Sequence, residues 1–220
     1  MNLASRLLLV SIILLAVTSA FGYFFWYKPK FGSTAKTNAF TFGPGRNSDN
    51  YETIQRLKQK ALLAKGFVRE HDYNTTHCFL LDMRLPSGRN RFFVYNLTKD
   101  SVEIAGLVTH GSGSENGTED LAFSNIKNSN CTSIGKYKIG NSYTGSFGLA
   151  YKLYGLDKTN SNAFDRFVVL HSHACVPNDE ISPLPICVSL GCPTVSPPFL
   201  DRLKTYLDNS QQPVLLWVYH

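Results

Sequence analysis

From Thr76 onward the chain is a succession of short apolar runs separated by turn residues, and this pattern limits the fold more than any other feature. The runs "THCFLLDMRL" and "RFFVYNLT" flank "PSGRN", a hairpin signal, and "VEIAGLVTHG" follows a "KDS" turn. Further along come "GKYKIGNSY", "GLAYKLYGL" and "RFVVLHSH", each bounded by Gly, Asn or Asp. The chain closes on "PVLLWVYH", which reads as a buried strand. One helix interrupts the pattern. "PPFLDRLKTYLDN" has Pro near its start and Phe199, Leu200, Leu203 and Leu207 on one face. The expectation is a mainly β domain over residues 70–220.

The first part of the chain reads differently. "RLLLVSIILLAVTSAFGYFFWY" is a 21-residue apolar run after one arginine, long enough to span a bilayer. Its "VTSA" offers small residues at a cleavage site, whereas the aromatic cluster Tyr23 to Tyr27 suits a retained membrane interface. Residues 1–27 are therefore expected to be a transmembrane anchor or a signal peptide, and the rest of the chain to be exported. Residues 28–50 are rich in Gly, Ser, Thr and Asn and read as a linker. A short helix is expected over 51–66, with Ile54, Leu57, Ala61 and Leu62 as its apolar stripe and Gly66 at its end. The net charge of +6 is spread along the chain without a basic block, and no nucleic-acid motif accompanies it.

An exported chain with five cysteines, Cys78, Cys131, Cys175, Cys187 and Cys192, leaves one thiol over if the others pair. "VLHSHAC" and "CVSLGCPTVS" concentrate the chemistry: His171 ends an apolar run, and Cys192 follows a glycine. A cysteine nucleophile needs a base in reach and amides that stabilise an oxyanion, and Gly191 lets the backbone curl to present them. Two other readings use the same residues. A disulfide would occupy Cys192, and zinc would draw on His171, His173, Cys175, Cys187 and Cys192, although His-x-His-x-Cys lacks the paired Cys-x-x-Cys spacing.

Seventeen residues separate His171 from Ser189, and Ser-Leu-Gly-Cys follows. This resembles the signature of L,D-transpeptidases, the cysteine enzymes that cross-link peptidoglycan. Upstream, "LVTHGSGS" and "FSNIKNSNCTSIGKYKIGNSYTGSFGLAYKLYGLDKTNSNAFDR" are similar to the murein L,D-transpeptidase catalytic-domain branch, so the likeness covers about residues 76 to 220. The resemblance implies a β-sandwich or sheet domain with a helix after the catalytic cysteine. It implies Cys192 as nucleophile, His171 as base, Ser172 as a residue orienting the imidazole, and oxyanion amides from Gly191 and Cys192. His110 and Gly111 would line the donor cleft, with Ser189 and Leu190 also on the substrate side. Cys175 would pair with Cys187 and Cys78 with Cys131, freeing Cys192. The first bridge would contribute roughly 3 kcal/mol.

The implied substrates are peptidoglycan stem peptides in the bacterial periplasm or envelope, with the chain anchored in the inner membrane and no cofactor needed. Leu190 stands where the wider family has histidine, and Thr194 where it often has Arg or Asn, a side chain that meets a substrate carboxylate. These departures keep two rivals open: a non-catalytic peptidoglycan-binding module, and another cysteine hydrolase such as an amidase of wall peptides.

Overall fold

The computed structural model describes residues 13–19, 21, 23, 47–117 and 120–220. Most of the expected anchor or signal segment, residues 1–27, and of the linker, residues 28–50, lies outside them. Residues 13–19 are helical, and among the described residues no helix is long and apolar enough to cross a membrane. Of the chain's two compact units, Met1–Asn38 and Ala39–His220, the second carries every element named below.

That unit is built on one eight-stranded mixed sheet, not on the two packed sheets of a sandwich. The strands are β1 (His77–Asp82), β2 (Phe92–Asn96), β3 (Ser101–Gly106), β4 (Gly135–Gly145), β5 (Gly148–Gly155), β6 (Val169–Ser172), β7 (Thr194–Val195) and β8 (Leu215–Tyr219). Their spatial order is β3-β2-β1-β8-β4-β5-β6-β7. β8 lies parallel to β1 and β7 parallel to β6, while the other neighbours run antiparallel.

Alternation along the central strands explains the layering, because successive side chains leave opposite faces of a sheet. Phe79, Leu81, Phe92, Val94, Leu216 and Val218 share one cluster with Phe199, Leu200 and Leu203 of helix α2 (Pro197–Asp208). Cys78, Leu80, Phe93, Tyr95 and Leu215 point the other way and pack with Leu57, Ala61, Ala64 and Val68 of helix α1 (Asn47–Glu70). A strand buried on both faces must be apolar at nearly every position, as "CFLL" and "VLLWVY" are.

Helix α1 is longer than the 51–66 expected. Gly66 does not end it, because at that helical position the backbone hydrogen bonding continues and the next apolar turn, with Val68 buried, still has a sheet to pack on. Its buried stripe also differs from the expected one: Leu57 and Ala61 face the sheet, but Leu62 is 71% exposed. Asp82, fully buried at the end of β1, accepts a hydrogen bond from Arg56 Nε at 2.9 Å and so ties the helix to the sheet. Helix α2 starts at Ser196, whose hydroxyl accepts from the Phe199 amide, followed by Pro197 and Pro198 in the first turn.

The register of α1 gives a direct test. Leu57→Ala is expected to cost about 2–5 kcal/mol in urea unfolding, and Leu62→Ala less than about 0.5 kcal/mol. Equal losses would place the stripe elsewhere.

Candidate active site

The site forms where β6 meets β7. Their parallel register sets His171 beside Thr194 and Ser172 beside Val195. His171 is 7% exposed, and its Nδ1 lies 3.1 Å from the Ser172 carbonyl oxygen. A carbonyl only accepts, so Nδ1 carries the proton and Nε2 presents a lone pair. Thr194 Oγ1, 3.0 Å from Nε2, donates to it. Burial, assisted by the neighbouring His173, lowers the His171 pKa below its ordinary value, opposed by the hydrogen bond to Ser172. The imidazole is therefore neutral near pH 7 and able to accept a proton. From the tip of the β4–β5 hairpin, Phe147 stacks on the ring at 4.9 Å between centroids and 21° between planes.

Cys192 lies in the short turn before β7. Its carbonyl is held by Ser189 Oγ at 2.7 Å and Thr109 Oγ1 at 3.1 Å. Ser189 Oγ in turn accepts from the Gly191 amide at 3.1 Å. The turn is braced from below by backbone pairing: the Ser189 amide donates to His110 O at 2.9 Å, and the Ser112 amide to Ser189 O at 2.7 Å. Gly191 has φ +111°, a conformation that side chains avoid, and an added Cβ would stand 2.8 Å from Cys131 O. Gly111 approaches the same loop more closely still, since its Cβ would meet Asn130 O at 2.1 Å.

The thiol itself is half-buried. Sγ points toward the Phe167 carbonyl at 3.7 Å, and no hydrogen bond joins it to His171 among the described residues. Burial pushes the thiol pKa up, while a backbone hydrogen bond from Val169 and the positive charge of Arg166 pull it down. A cavity of about 450 Å³ brings the pieces together: Cys192, His171, Thr194, Ser189 and Leu190 line it with Arg166 and the aromatic rings of Phe147 and Phe167.

The expected site residues thus fall into groups. Cys192, His171, Ser189 and Leu190 share the cavity, with Leu190 74% exposed at its edge. Ser172 meets the imidazole through its main-chain carbonyl rather than its side chain. The Gly191 amide, expected as an oxyanion donor, is taken by Ser189 Oγ, whereas the Cys192 amide makes no hydrogen bond among the described residues.

His110 and Gly111 do not line the cavity. Arg91 Nη2 donates to His110 Nδ1 at 2.9 Å, and His110 Nε2 donates to Glu115 at 3.1 Å, so this buried histidine is pinned on both nitrogens. Its pKa is lowered by burial and by Arg91. Gly111 donates to Thr132 Oγ1 at 2.9 Å. Both residues support the Ser189 turn from behind.

The cysteines divide as follows. Cys175 and Cys187 form a disulfide across the Pro-rich loop. Cys78 and Cys131 do not pair: Cys78 points from β1 into the α1 cluster, and Cys131 donates from a loop to Gly113 O at 3.0 Å. The bridge removes Cys175 and Cys187 as zinc ligands, and no group of three or more His, Cys, Asp or Glu converges among the described residues. Arg166, Phe147 and Phe167 were not singled out by motif. Each lies in a connection far along the chain from Cys192, and only the sheet order brings them to it.

Residues 50–219 match the family model described as L,D-transpeptidase catalytic domain. The chain belongs to that family. No curated protein matches the chain. Among solved structures, it is similar to the helical cell shape determining protein Pgp2 (K307A mutant) from Campylobacter jejuni, at 11% identity over 66% of this chain and 47% of that one, with a TM-score of 0.44. It is also similar to an L,D-transpeptidase from Mycobacterium smegmatis, at 14% identity over 66% and 59%, with a TM-score of 0.39. A third, the Ldtfm–avibactam carbamoyl enzyme, shares 13% identity over 66% and 49%, with a TM-score of 0.39. The chain spans only 47% to 59% of the length of these proteins.

The turn that holds Cys192 is testable through its glycine. Gly191→Ala is expected to lower stability by about 1–3 kcal/mol, read by thermal unfolding, because both φ and the Cys131 carbonyl oppose a side chain. An unchanged melting temperature would contradict the close approach.

Proposed function

We propose that this protein is a cysteine L,D-transpeptidase of peptidoglycan stem peptides, with Cys192 as nucleophile and His171 as general base. The observation that carries the reading is the shared cavity in which a locked, neutral imidazole and a half-buried thiol meet. Thr194 now caps Nε2, and its hydroxyl also lies 3.4 Å from the Cys192 carbonyl. Turning to that carbonyl frees Nε2 to take the thiol proton.

The thiolate then attacks the carbonyl carbon of the third residue of a stem tetrapeptide. The Cys192 amide is the donor placed to meet the developing oxyanion. As the tetrahedral adduct collapses, the C–N bond to the fourth residue breaks, imidazolium protonates the leaving amine, and terminal D-alanine departs. The thioester is next attacked by an amine of a second stem, or by water, with His171 taking the nucleophile's proton. Release of the new amide or acid regenerates the thiol. A location outside the cytoplasmic membrane fits the N-terminal apolar run and the Cys175–Cys187 bridge.

Cys192→Ala should leave the melting temperature near that of the parent and lower turnover of purified tetrapeptides by at least about a thousandfold. Turnover that survives would exclude Cys192 as nucleophile, and binding without turnover in the parent would favour the binding-module reading. Cross-linked dimers among the products mark a transpeptidase, and shortened stems alone mark a carboxypeptidase. Cleavage elsewhere in the peptide would point to an amidase.

The pH profile adds an independent check. His171 must be neutral to act as base, and burial lowers its pKa. Activity is therefore lost only as pH falls through that lowered value, so the acid limb of kcat/KM should have its midpoint below the ordinary 6.5. A midpoint above 6.5 would assign the limb to another group.

A further inference from the structure

Arg166 is held in an unusual way. Its Nη1 donates to Ser124 O at 2.9 Å and to Ser133 Oγ, and its Nη2 to Cys131 O at 2.7 Å and Ser129 Oγ at 3.3 Å. All four acceptors are neutral, and no carboxylate pairs with the guanidinium among the described residues. An arginine held at both terminal nitrogens by four neutral oxygens carries a charge that these partners do not offset, and it loses its freedom to move. It also faces the Cys192 cavity, in which no other Lys or Arg takes part among the described residues.

The backbone around Arg166 is arranged to the same end. The turn is closed by Arg166 N to Asn162 O at 2.9 Å and Val168 N to Ala163 O at 2.9 Å. Phe167 then adopts φ +56°, a conformation unusual for a bulky residue, and stays 80% exposed. Burial of its ring does not account for that strain. The conformation does set the Phe167 carbonyl 3.7 Å from Sγ and Arg166 on the wall of the same cavity.

The groups that face the thiol can be counted. Arg166 comes from the β5–β6 connection, His171 and His173 from the end of β6, and the buried Tyr137 phenol from β4. Among the described residues, no acidic side chain lines the cavity. His171 makes no hydrogen bond to Sγ and is neutral near pH 7, so it supplies no positive charge before it accepts the proton. Among the described residues that line the cavity, the guanidinium is the only permanent charge.

We propose that Arg166 is a positioning residue that stabilises the Cys192 thiolate through a fixed, unpaired positive charge, clamped in place by the 124–133 loop. The nucleophile is then set up by a guanidinium and discharged to an imidazole, two roles held by different residues. This rests on the reading of Cys192 as nucleophile, but its test measures the thiol and not turnover, so either can fail alone.

The experiment is the pH dependence of Cys192 alkylation by iodoacetamide, followed by mass on the Cys192 peptide in the folded full chain with its disulfide intact. In Arg166→Gln the midpoint should rise by about one pH unit, which slows alkylation roughly tenfold at a fixed pH below it. Arg166→Lys keeps the charge but lacks the four-way clamp, and its midpoint should stay within about 0.3 pH units of the parent. A folded Gln variant with the parent midpoint overturns the proposal. So does a Lys variant raised by a full unit, which would make the clamp and not the charge responsible. If the Gln variant does not fold, the Lys variant decides by the same criterion.

Discussion

Two rungs of parallel pairing at the sheet edge hold the whole site together. His171 opposite Thr194 and Ser172 opposite Val195 fix the imidazole, the hydroxyl that caps it and the turn that carries Cys192. Parallel rungs are individually weak, so the pairing depends on what surrounds it. The Thr109 amide and hydroxyl both bond to the Thr194 and Cys192 main chain, and Val195 is fully buried in the α2 cluster. Helix α2 begins directly after β7, capped by Ser196, and its Phe199, Leu200 and Leu203 anchor the strand from below. A short strand is thus stabilised by the element that follows it.

The same dependence explains what could be read from sequence and what could not. The longer strands and α2 were visible because their apolar periods and turn residues are local signals. β7 is two residues long, too short to carry a period, yet it sets the geometry of the site. Residues 13–19 are helical, but the membrane reading of the first 27 residues rests on the sequence alone. Helix α1 was foreseen but ended early at Gly66, because a glycine in a helix signals a stop only where no tertiary surface takes over. The single sheet, covered on both faces over its central strands, replaces the expected choice between sandwich and sheet. Its double burial hides in runs such as "CFLL", which an alternating pattern does not separate.

For the site, the motif around Cys192 and His171 names two residues that line one cavity. It did not reveal the division of labour among their neighbours. His110 looked like a cleft residue because it precedes a glycine, but Arg91 lies nineteen positions upstream and captures its ring. The pairing of Cys78 with Cys131 followed from counting thiols, whereas side-chain direction on β1 points Cys78 to the opposite side of the sheet from the Phe79 cluster. Arg166 ends the stretch that resembles the family but belongs to none of the short motifs around Cys192 and His171. Its importance comes from neutral acceptors on the 124–133 loop, a relation between segments that only folding creates.

The cavity walls come from four separate connections: the stretch after β3 at Thr109 and Ser112, the hairpin tip at Phe147, the turn at Arg166 and Phe167, and the β6–β7 segment with His173, Val188 and Leu190. His171 and Thr194 instead sit on β6 and β7, which belong to the sheet, whereas Cys192 stands in the turn before β7. The imidazole is thus held by a strand and the thiol by a loop. Replacing Leu190, exposed at the cavity's edge, would therefore reshape the cavity without disturbing the strand ends, so this architecture can be altered one loop residue at a time.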